Sequence, residues 1–526
     1  MNESDKQMST PSTDPIIELP TDGPKIPQEN SPVDDAAPAQ GQTGRRVLIN
    51  TGALAGSSVW RIGTSFILQL FIARQLGIVG MGHYTVALAY LNVCQVLSEL
   101  GLQTLLVRDL AQRPARRRGY FFASLGLQLG ASLLIWGALI GITRLLPFAE
   151  ETRVALLLVG ASLPFYAVTS AIQTIFQAGE QMELVMGVEM FINTLIVVLS
   201  LTLLWMGYGL RELVAVLVVT QAVSALLCWL FLRRTTLLAA PQESMRGEWF
   251  SLPKRAAPFY ALALADVLLH RIDILLLGIL AGELITGIYS AAYNVVRVLM
   301  KVIQSYWKAL YPTLSRLLKQ HYTRYDQLCA LSQRYGFFAM LLGTLAAGTI
   351  AEQLMNIYGK ESAGAAPVFS ILIWLSPIFL LESYAILVLM VEGKPLQSLW
   401  TTAAHLLAIS ILLPLFTLQF RAVGAAWAAL IATGTGATVG LILLRKFALP
   451  LEIRKIILLI AAALFTLLSM LVLQWFWAIP WLLHVPLVTL LFIGFSALSG
   501  TVSKADLITF RRAFIGNSSP AGIIPS

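Results

Sequence analysis

Six polar residues, Ser290, Asn294, Arg297, Lys301, Gln304 and Lys308, recur at steps of three or four within an apolar stretch. In a helix such steps return to one face. The stripe runs for 18 residues, or about 27 Å at 1.5 Å per residue. Half of it is basic, so it suits an anion. Phosphate and pyrophosphate fit best, because a guanidinium binds them through two parallel hydrogen bonds. Other apolar stretches carry companion groups. Asn50, Ser57, Arg61 and Thr64 lie in the first, Asn92, Gln95, Glu99 and Gln103 in the second, and Asp266, His270 and Asp273, beside Arg271, in the seventh. Arg61 and Arg297 each sit well inside their stretch, at comparable depth.

No motif points to covalent chemistry. There is no G-x-S-x-G elbow, P-loop or H-E-x-x-H, and the three cysteines (Cys94, Cys228, Cys329) have unrelated spacings. No metal site, disulfide or cofactor is expected. Without a nucleotide site the chain is not an ATP-driven pump, so transport would be secondary, facilitated or dependent on a partner.

The elements that must position these groups follow from composition. Of 526 residues, 57% are hydrophobic and 12% charged, and the mean hydropathy is +0.74. Soluble domains carry about 25% charged residues. The apolar excess covers nearly the whole length, which predicts an all-α polytopic membrane protein and excludes most soluble enzymes and nucleic-acid binders. A span needs about 20 mostly apolar residues. Fourteen candidates fit, at about 47–73, 83–107, 119–146, 154–176, 183–206, 212–232, 257–280, 285–307, 329–351, 365–390, 398–420, 423–444, 456–479 and 487–509.

Lys and Arg alternate between the connections: 27 of the 37 fall on one side, six on the other and four inside spans. By the positive-inside rule both termini are cytoplasmic. Residues 1–44 carry eight acids, two bases and seven of the 23 prolines, without an aromatic residue. They read as a disordered acidic cytoplasmic tail rather than a secretory signal. The predicted order is then an N-lobe of six helices (45–232), a cytoplasmic linker (233–256), a C-lobe of six helices (257–447), a last helix pair (448–512) and a short cytoplasmic tail (513–526). Two six-helix lobes around a central cavity, plus a C-terminal pair, is a transporter-like plan.

Charges at bilayer depth are costly unless they face a cavity or a partner. For Arg61 and Lys301 the cavity is the preferred reading. For the aspartates two readings stand: ion pairs Asp273–Arg297 and Asp266–Lys301 that fix span 7 against span 8, or ion or proton coupling. His270 either shuttles protons or makes an interhelical hydrogen bond. Glu99 is a coupling group or a partner for Arg108. His405 and Glu382 stand isolated and read as packing residues.

Several segments resemble one family. Arg61-Ile62-Gly63, Ile72-Ala73-Arg74-Gln75-Leu76-Gly77 and Gly82-His83-Tyr84 open the first half. Glu99-Leu100-Gly101-Leu102 and Val107-Arg108-Asp109-Leu110-Ala111 follow. The second half has Arg271-Ile272-Asp273-Ile274-Leu275-Leu276-Leu277-Gly278, Gly287-Ile288-Tyr289-Ser290-Ala291-Ala292-Tyr293, Tyr311-Pro312-Thr313-Leu314-Ser315 and Gly424-Ala425-Ala426-Trp427. In this order they resemble the bacterial polysaccharide flippases, the Wzx-like O-antigen and exopolysaccharide translocases of the MOP exporter superfamily, over about residues 45–450. Glu99 and Asp109 exchange the acid type usual in that family. The acidic N-terminal tail lies outside its pattern.

The resemblance implies a V-shaped pair of lobes around a cationic cavity, working by alternating access in the plasma (inner) membrane. The implied substrate is an undecaprenyl-pyrophosphate-linked oligosaccharide, moved to the outer leaflet. In the related peptidoglycan lipid flippases, arginines of spans 1 and 8 line the cavity. Arg61 and Arg297 match them here, with Lys301, Asn294 and Arg271 nearby. Those relatives hold the lipid tail in a groove of the last two spans. Implied partners are membrane lipids, a polysaccharide polymerase and glycosyltransferase components, but no nucleic acid. The competing reading is a cation-coupled small-molecule or multidrug exporter of the same superfamily, which calls for an acidic cavity. A membrane polymerase or ligase would need a large outer loop, and the longest outer connection is only about 352–364.

Overall fold

A computed structural model describes residues 40–501 apart from 113, 147, 238–250 and 477–479, with side chains from 60 onward except those of 111, 114, 360, 361 and 363. Residues 1–39 of the tail expected at 1–44, the tail expected at 513–526, most of the linker, and the side chains of Asn50 and Ser57 lie outside these residues; 40–44 of the expected tail begin a helix. The compact body begins at Asn50.

The described chain is helical, with no strand. Hydrocarbon cannot hydrogen-bond to peptide groups, so a spanning backbone must satisfy its own, as a helix does. The order is α1 (Gln40–Glu99), α2 (Leu102–Gln112), α3 (Arg117–Leu145), α4 (Glu150–Ala178), α5 (Met182–Trp205), α6 (Leu210–Arg234), α7 (Ser251–Leu280) and α8 (Gly282–Gln320). It continues with α9 (Tyr322–Thr349), α10 (Ala351–Asn356), α11 (Ala366–Leu372), α12 (Leu375–Val391), α13 (Pro395–Lys446), α14 (Ile453–Phe476) and α15 (Trp481–Leu498).

Nine described helices, with α11 and α12 counted as one, are long and apolar enough to cross a membrane. Two of them, α1 and α13, contain a sharp reversal. At Gly77 the backbone takes φ 70°, ψ 178°, a conformation nearly restricted to glycine. At Arg421 it takes φ 53°, ψ −131°, which is strained for a side-chain-bearing residue. Each long helix therefore makes two passes. α7, α8 and α9 are not among the nine, and in α7 and α8 the charges of the polar stripes interrupt the apolar run. Counting them, the fourteen expected passes are present. One boundary differs from expectation. The second arm of α1 ends at Glu99, where Leu100 (φ 55°) and Gly101 (φ 66°) turn the chain into the separate α2.

Helices α2–α6 pack on one another, as do α7–α9 with α11–α13. The last pair joins through Phe465 against Phe495 at 4.9 Å, and lies on α9 through Phe338 stacked on Phe492 at 5.1 Å. Large apolar side chains point outward, among them Leu134, Leu145, Trp205 and Trp475. That exposure suits a lipid solvent.

The two halves meet at the starts of the second arm of α1 and of α8, in a reciprocal way. A Cβ on Gly82 would lie 1.9 Å from the Glu283 carbonyl oxygen, and a Cβ on Gly287 would lie 2.0 Å from that of Ile78. Each glycine thus faces the carbonyl four residues before the other. Both belong to a G-x-Y motif, whose tyrosines, Tyr84 and Tyr289, are buried. Glu283 adds polar links to the other half, accepting from the Ala149 N–H at 3.0 Å and the Thr152 hydroxyl at 2.9 Å. Thr152 in turn accepts from His83 Nδ1 at 2.6 Å. Arg74 donates to the Ile357 carbonyl at 2.7 Å. At the opposite end α2 presses on α7. Asp109 bridges Arg108 and Arg255, and the Arg108 guanidinium lies 5.4 Å from the centre of the Phe259 ring.

Candidate functional site

A cavity of about 510 Å³ lies between the halves, within the range of about 300–1,000 Å³ typical of ligand sites. Five cations line it: Arg61 from α1, Arg271 from α7, and Arg297, Lys301 and Lys308 from α8. Seven carboxamides share the lining. Gln69, Asn92 and Gln95 come from α1, Asn193 from α5, Gln221 from α6, and Asn294 and Gln304 from α8. No described Asp or Glu lines it.

The α8 stripe has the expected helical period, but its wet length is shorter than the pattern. Ser290 is buried beside the glycine contact and does not line the cavity. The lining face runs from Asn294 to Lys308, about 21 Å. The expected ion pairs across α7 and α8 are not made. Arg297 donates to Asn294 Oδ1 at 2.7 Å and, at 3.5 Å, to Gln69 Oε1 across the halves. Lys301 donates to Gln304 Oε1 at 2.8 Å. Among the described residues, no carboxylate lies within ion-pair distance of either cation. Lys301 feels the like charges of Lys308, Arg61 and Arg297 and the opposite charge of Asp266, and Arg271 feels Arg297 and Asp273.

The acidic candidates sit elsewhere. Asp273 is buried and accepts from the Tyr289 hydroxyl at 2.9 Å and from the Ile274 N–H at 2.8 Å. It holds α7 to α8 through a motif tyrosine. Asp266 is exposed, 3.7 Å from His270 Nδ1. His270 donates from Nδ1 to the Asp266 carbonyl at 2.8 Å, which leaves Nε2 to accept from Gln304 at 3.3 Å. It therefore touches a lining residue without lining the cavity itself. Glu99 accepts from Ser170 at 3.2 Å within the first half, and is not the partner of Arg108.

The expectation that Glu382 and His405 are isolated is corrected. His405 Nδ1 donates to Glu382 Oε1 at 2.9 Å, deep between α12 and α13. Gly436 leaves the space, since a Cβ there would lie 2.2 Å from Glu382 Oε1. Their spacing of 23 residues has no helical period, which hid the pair from the sequence. Glu382→Ala strands a buried imidazole, and is expected to cost about 1–3 kcal/mol. Thermal unfolding in detergent measures that loss. Glu382→Gln keeps an acceptor and is expected to restore both stability and transport. A stable but inactive Glu382→Gln protein would make the pair a proton site instead of a packing contact.

The sequence reading missed Gln69, Asn193 and Gln221 as site residues. The available signal was a carboxamide inside each of three apolar helices. The lobe that each one faces is not a property of a single helix.

The comparisons agree with this architecture. The lipid II flippase MurJ in its inward closed conformation matches with a TM-score of 0.68 and 11% identity, over 88% of this chain and 100% of that one. An inward-facing multidrug resistance MATE family transporter of the MOP superfamily matches with a TM-score of 0.61 and 12% identity, over 73% and 94%. A MOP superfamily transporter from Pyrococcus furiosus, described as having a binding pocket of reverse polarity, gives a TM-score of 0.50 and 14% identity, over 76% and 93%. These likenesses are of fold. No curated protein matches by sequence. The family model described as polysaccharide biosynthesis protein matches residues 47–318, just over half of the chain. With the fold of the MOP superfamily and that match, the chain belongs to the polysaccharide biosynthesis protein family.

Proposed function

We propose that the chain is a transporter, not an enzyme, that flips undecaprenyl-pyrophosphate-linked oligosaccharide units from the cytoplasmic to the outer leaflet of the plasma (inner) membrane, for cell-surface polysaccharide. The observation that carries this reading is a cavity lined by five cations and no described carboxylate. Clustered cations inside a membrane repel one another, and each has lost hydration. A pyrophosphate offsets both costs. Arg61, Arg271, Arg297 and Lys301 would hold the headgroup, with Asn294 orienting Arg297, while the polyprenyl tail stays in lipid. Both termini would be cytoplasmic, with the Lys308 end of the cavity facing the cytoplasm. Polymerase and glycosyltransferase components would act on either side of this step.

Transport needs the cavity to face each side in turn. Cargo biases that exchange only by binding the two states differently. The reciprocal glycine contact would seal the outer end in the state described. The exporter alternative, which needs anionic groups for cationic drugs, finds none among the described residues that line this cavity.

Depletion of the protein in its native host, followed by lipid extraction, tests the reading. Accumulation of a polyprenyl-pyrophosphate oligosaccharide on the cytoplasmic leaflet, with loss of surface polymer, is expected. Normal polymer without accumulation would overturn it.

A further inference from the structure

The cavity has two walls of different chemistry. The wall from α7 and α8 carries four of the five cations, Arg61 being the exception. The facing wall, from the second arm of α1 with α5 and α6, has no ionisable group among its described lining residues except Tyr84. It presents Asn92, Gln95, Asn193 and Gln221.

These four carboxamides keep much of their hydrogen-bonding capacity. Among the described residues, Gln95 and Gln221 line the cavity without a side-chain hydrogen-bond partner. Among the described residues, Asn92 and Asn193 use only their amide nitrogens, on the Leu88 and Glu189 carbonyls, and their acceptor oxygens have no donor there. Thr85, on the same wall, has a buried hydroxyl with no partner among the described residues. Polar groups at bilayer depth are costly unless something polar meets them.

Phosphate oxygens only accept hydrogen bonds, and they are served by the cationic wall. A carboxamide both donates and accepts. It therefore complements groups that do the same, which are the hydroxyl and N-acetyl groups of sugars. Resting on the flippase reading above, we propose that the α1–α5–α6 wall is a glycan-reading subsite. Asn92, Gln95, Asn193 and Gln221 bind the sugar residues nearest the pyrophosphate, while the α7–α8 wall binds the pyrophosphate. The subsite takes neutral or acidic sugars. A sugar with a free ammonium group would meet five lining cations and no described lining carboxylate, and is rejected.

The test compares two probes on protein in lipid nanodiscs: undecaprenyl pyrophosphate without sugar, and the lipid-linked oligosaccharide extracted from the native host. The Gln95→Ala/Gln221→Ala double variant is expected to bind the glycan-bearing lipid about tenfold more weakly, the worth of one or two net hydrogen bonds. Its affinity for the bare pyrophosphate should stay within twofold of wild type, which also shows that the variant is folded. Arg297→Ala should weaken both probes alike. Equal weakening of both probes by the double variant, or of neither, overturns the subsite and leaves the flippase reading standing. Wild-type protein that binds neither probe overturns both.

Discussion

Arg297→Ala is expected to abolish surface polysaccharide in a complementation assay, while membrane abundance stays at the wild-type level. The two halves of that expectation have separate causes. Arg297 lines the cavity one turn in from the Asn294 end of the polar face, and its described partners are the neutral oxygens of Asn294 and Gln69. Removing it breaks no ion pair, and buried Asp273 keeps the Tyr289 and Ile274 hydrogen bonds and the nearby charge of Arg271. It also relieves repulsion of Arg271, so folding should not suffer. The ligand, by contrast, loses a charge-assisted contact worth about 1.5–3 kcal/mol, or roughly 10- to 150-fold in affinity. Arg297→Lys keeps the charge but loses the planar fork, and should retain intermediate activity. Quantifying surface polymer against immunoblotted membrane protein checks all three statements. Wild-type polymer with Arg297→Ala would remove the headgroup role from this residue.

The second large effect is conformational. Gly287→Val should stop transport by keeping the halves apart where they now touch. A Cβ at Gly287 would stand 2.0 Å from a backbone oxygen of the other half, and one at Gly82 would stand 1.9 Å from its counterpart. No rotamer change relieves a clash with backbone, so the helices must separate. Separation also breaks the contacts of Glu283 with Ala149 and Thr152. The state sealed at this end becomes inaccessible, and a cycle that requires it stalls. Ser290, one turn inside the contact and fully buried, reports the change. With Ser290→Cys as background, a membrane-impermeant maleimide added from outside should label the Gly287→Val protein at least tenfold faster. The native cysteines are buried and contribute little labelling. Unchanged labelling together with normal transport would show that this contact is no gate.

Family motifs that look unrelated along the chain acquire causes here. Gly77 permits the reversal between the first two passes. Gly101 turns the chain at the end of the second, where a Cβ would lie 2.4 Å from the Tyr260 nitrogen. Asp109 of α2 ties that helix to α7 through Arg255. Asp273 and Tyr289, sixteen residues apart, are one hydrogen bond. None of these residues lines the cavity, so much of the family signature serves to position the site rather than to form it.

The number of passes, the polar face of α8 and the place of Arg61 and Arg297 well inside their helices were legible from the chain alone. Each depends on local quantities: the length of an apolar run, the 3.6-residue period and the rise per residue. What those groups touch depended on packing. Asp273 and Arg297 have opposite charge on adjacent helices, which made a pair plausible, yet the aspartate is turned to Tyr289 and the arginine to Asn294. Glu382 and His405 read as solitary and meet across two helices. Ser290 continues the polar stripe but is buried between the glycine contact and the start of the cavity lining. The carboxamides Asn193 and Gln221 could have faced lipid, a neighbour or the cavity. The helical period fixes a residue's angle on its own helix but carries no information about the helix that will lie opposite. That neighbour is chosen only when all the helices assemble.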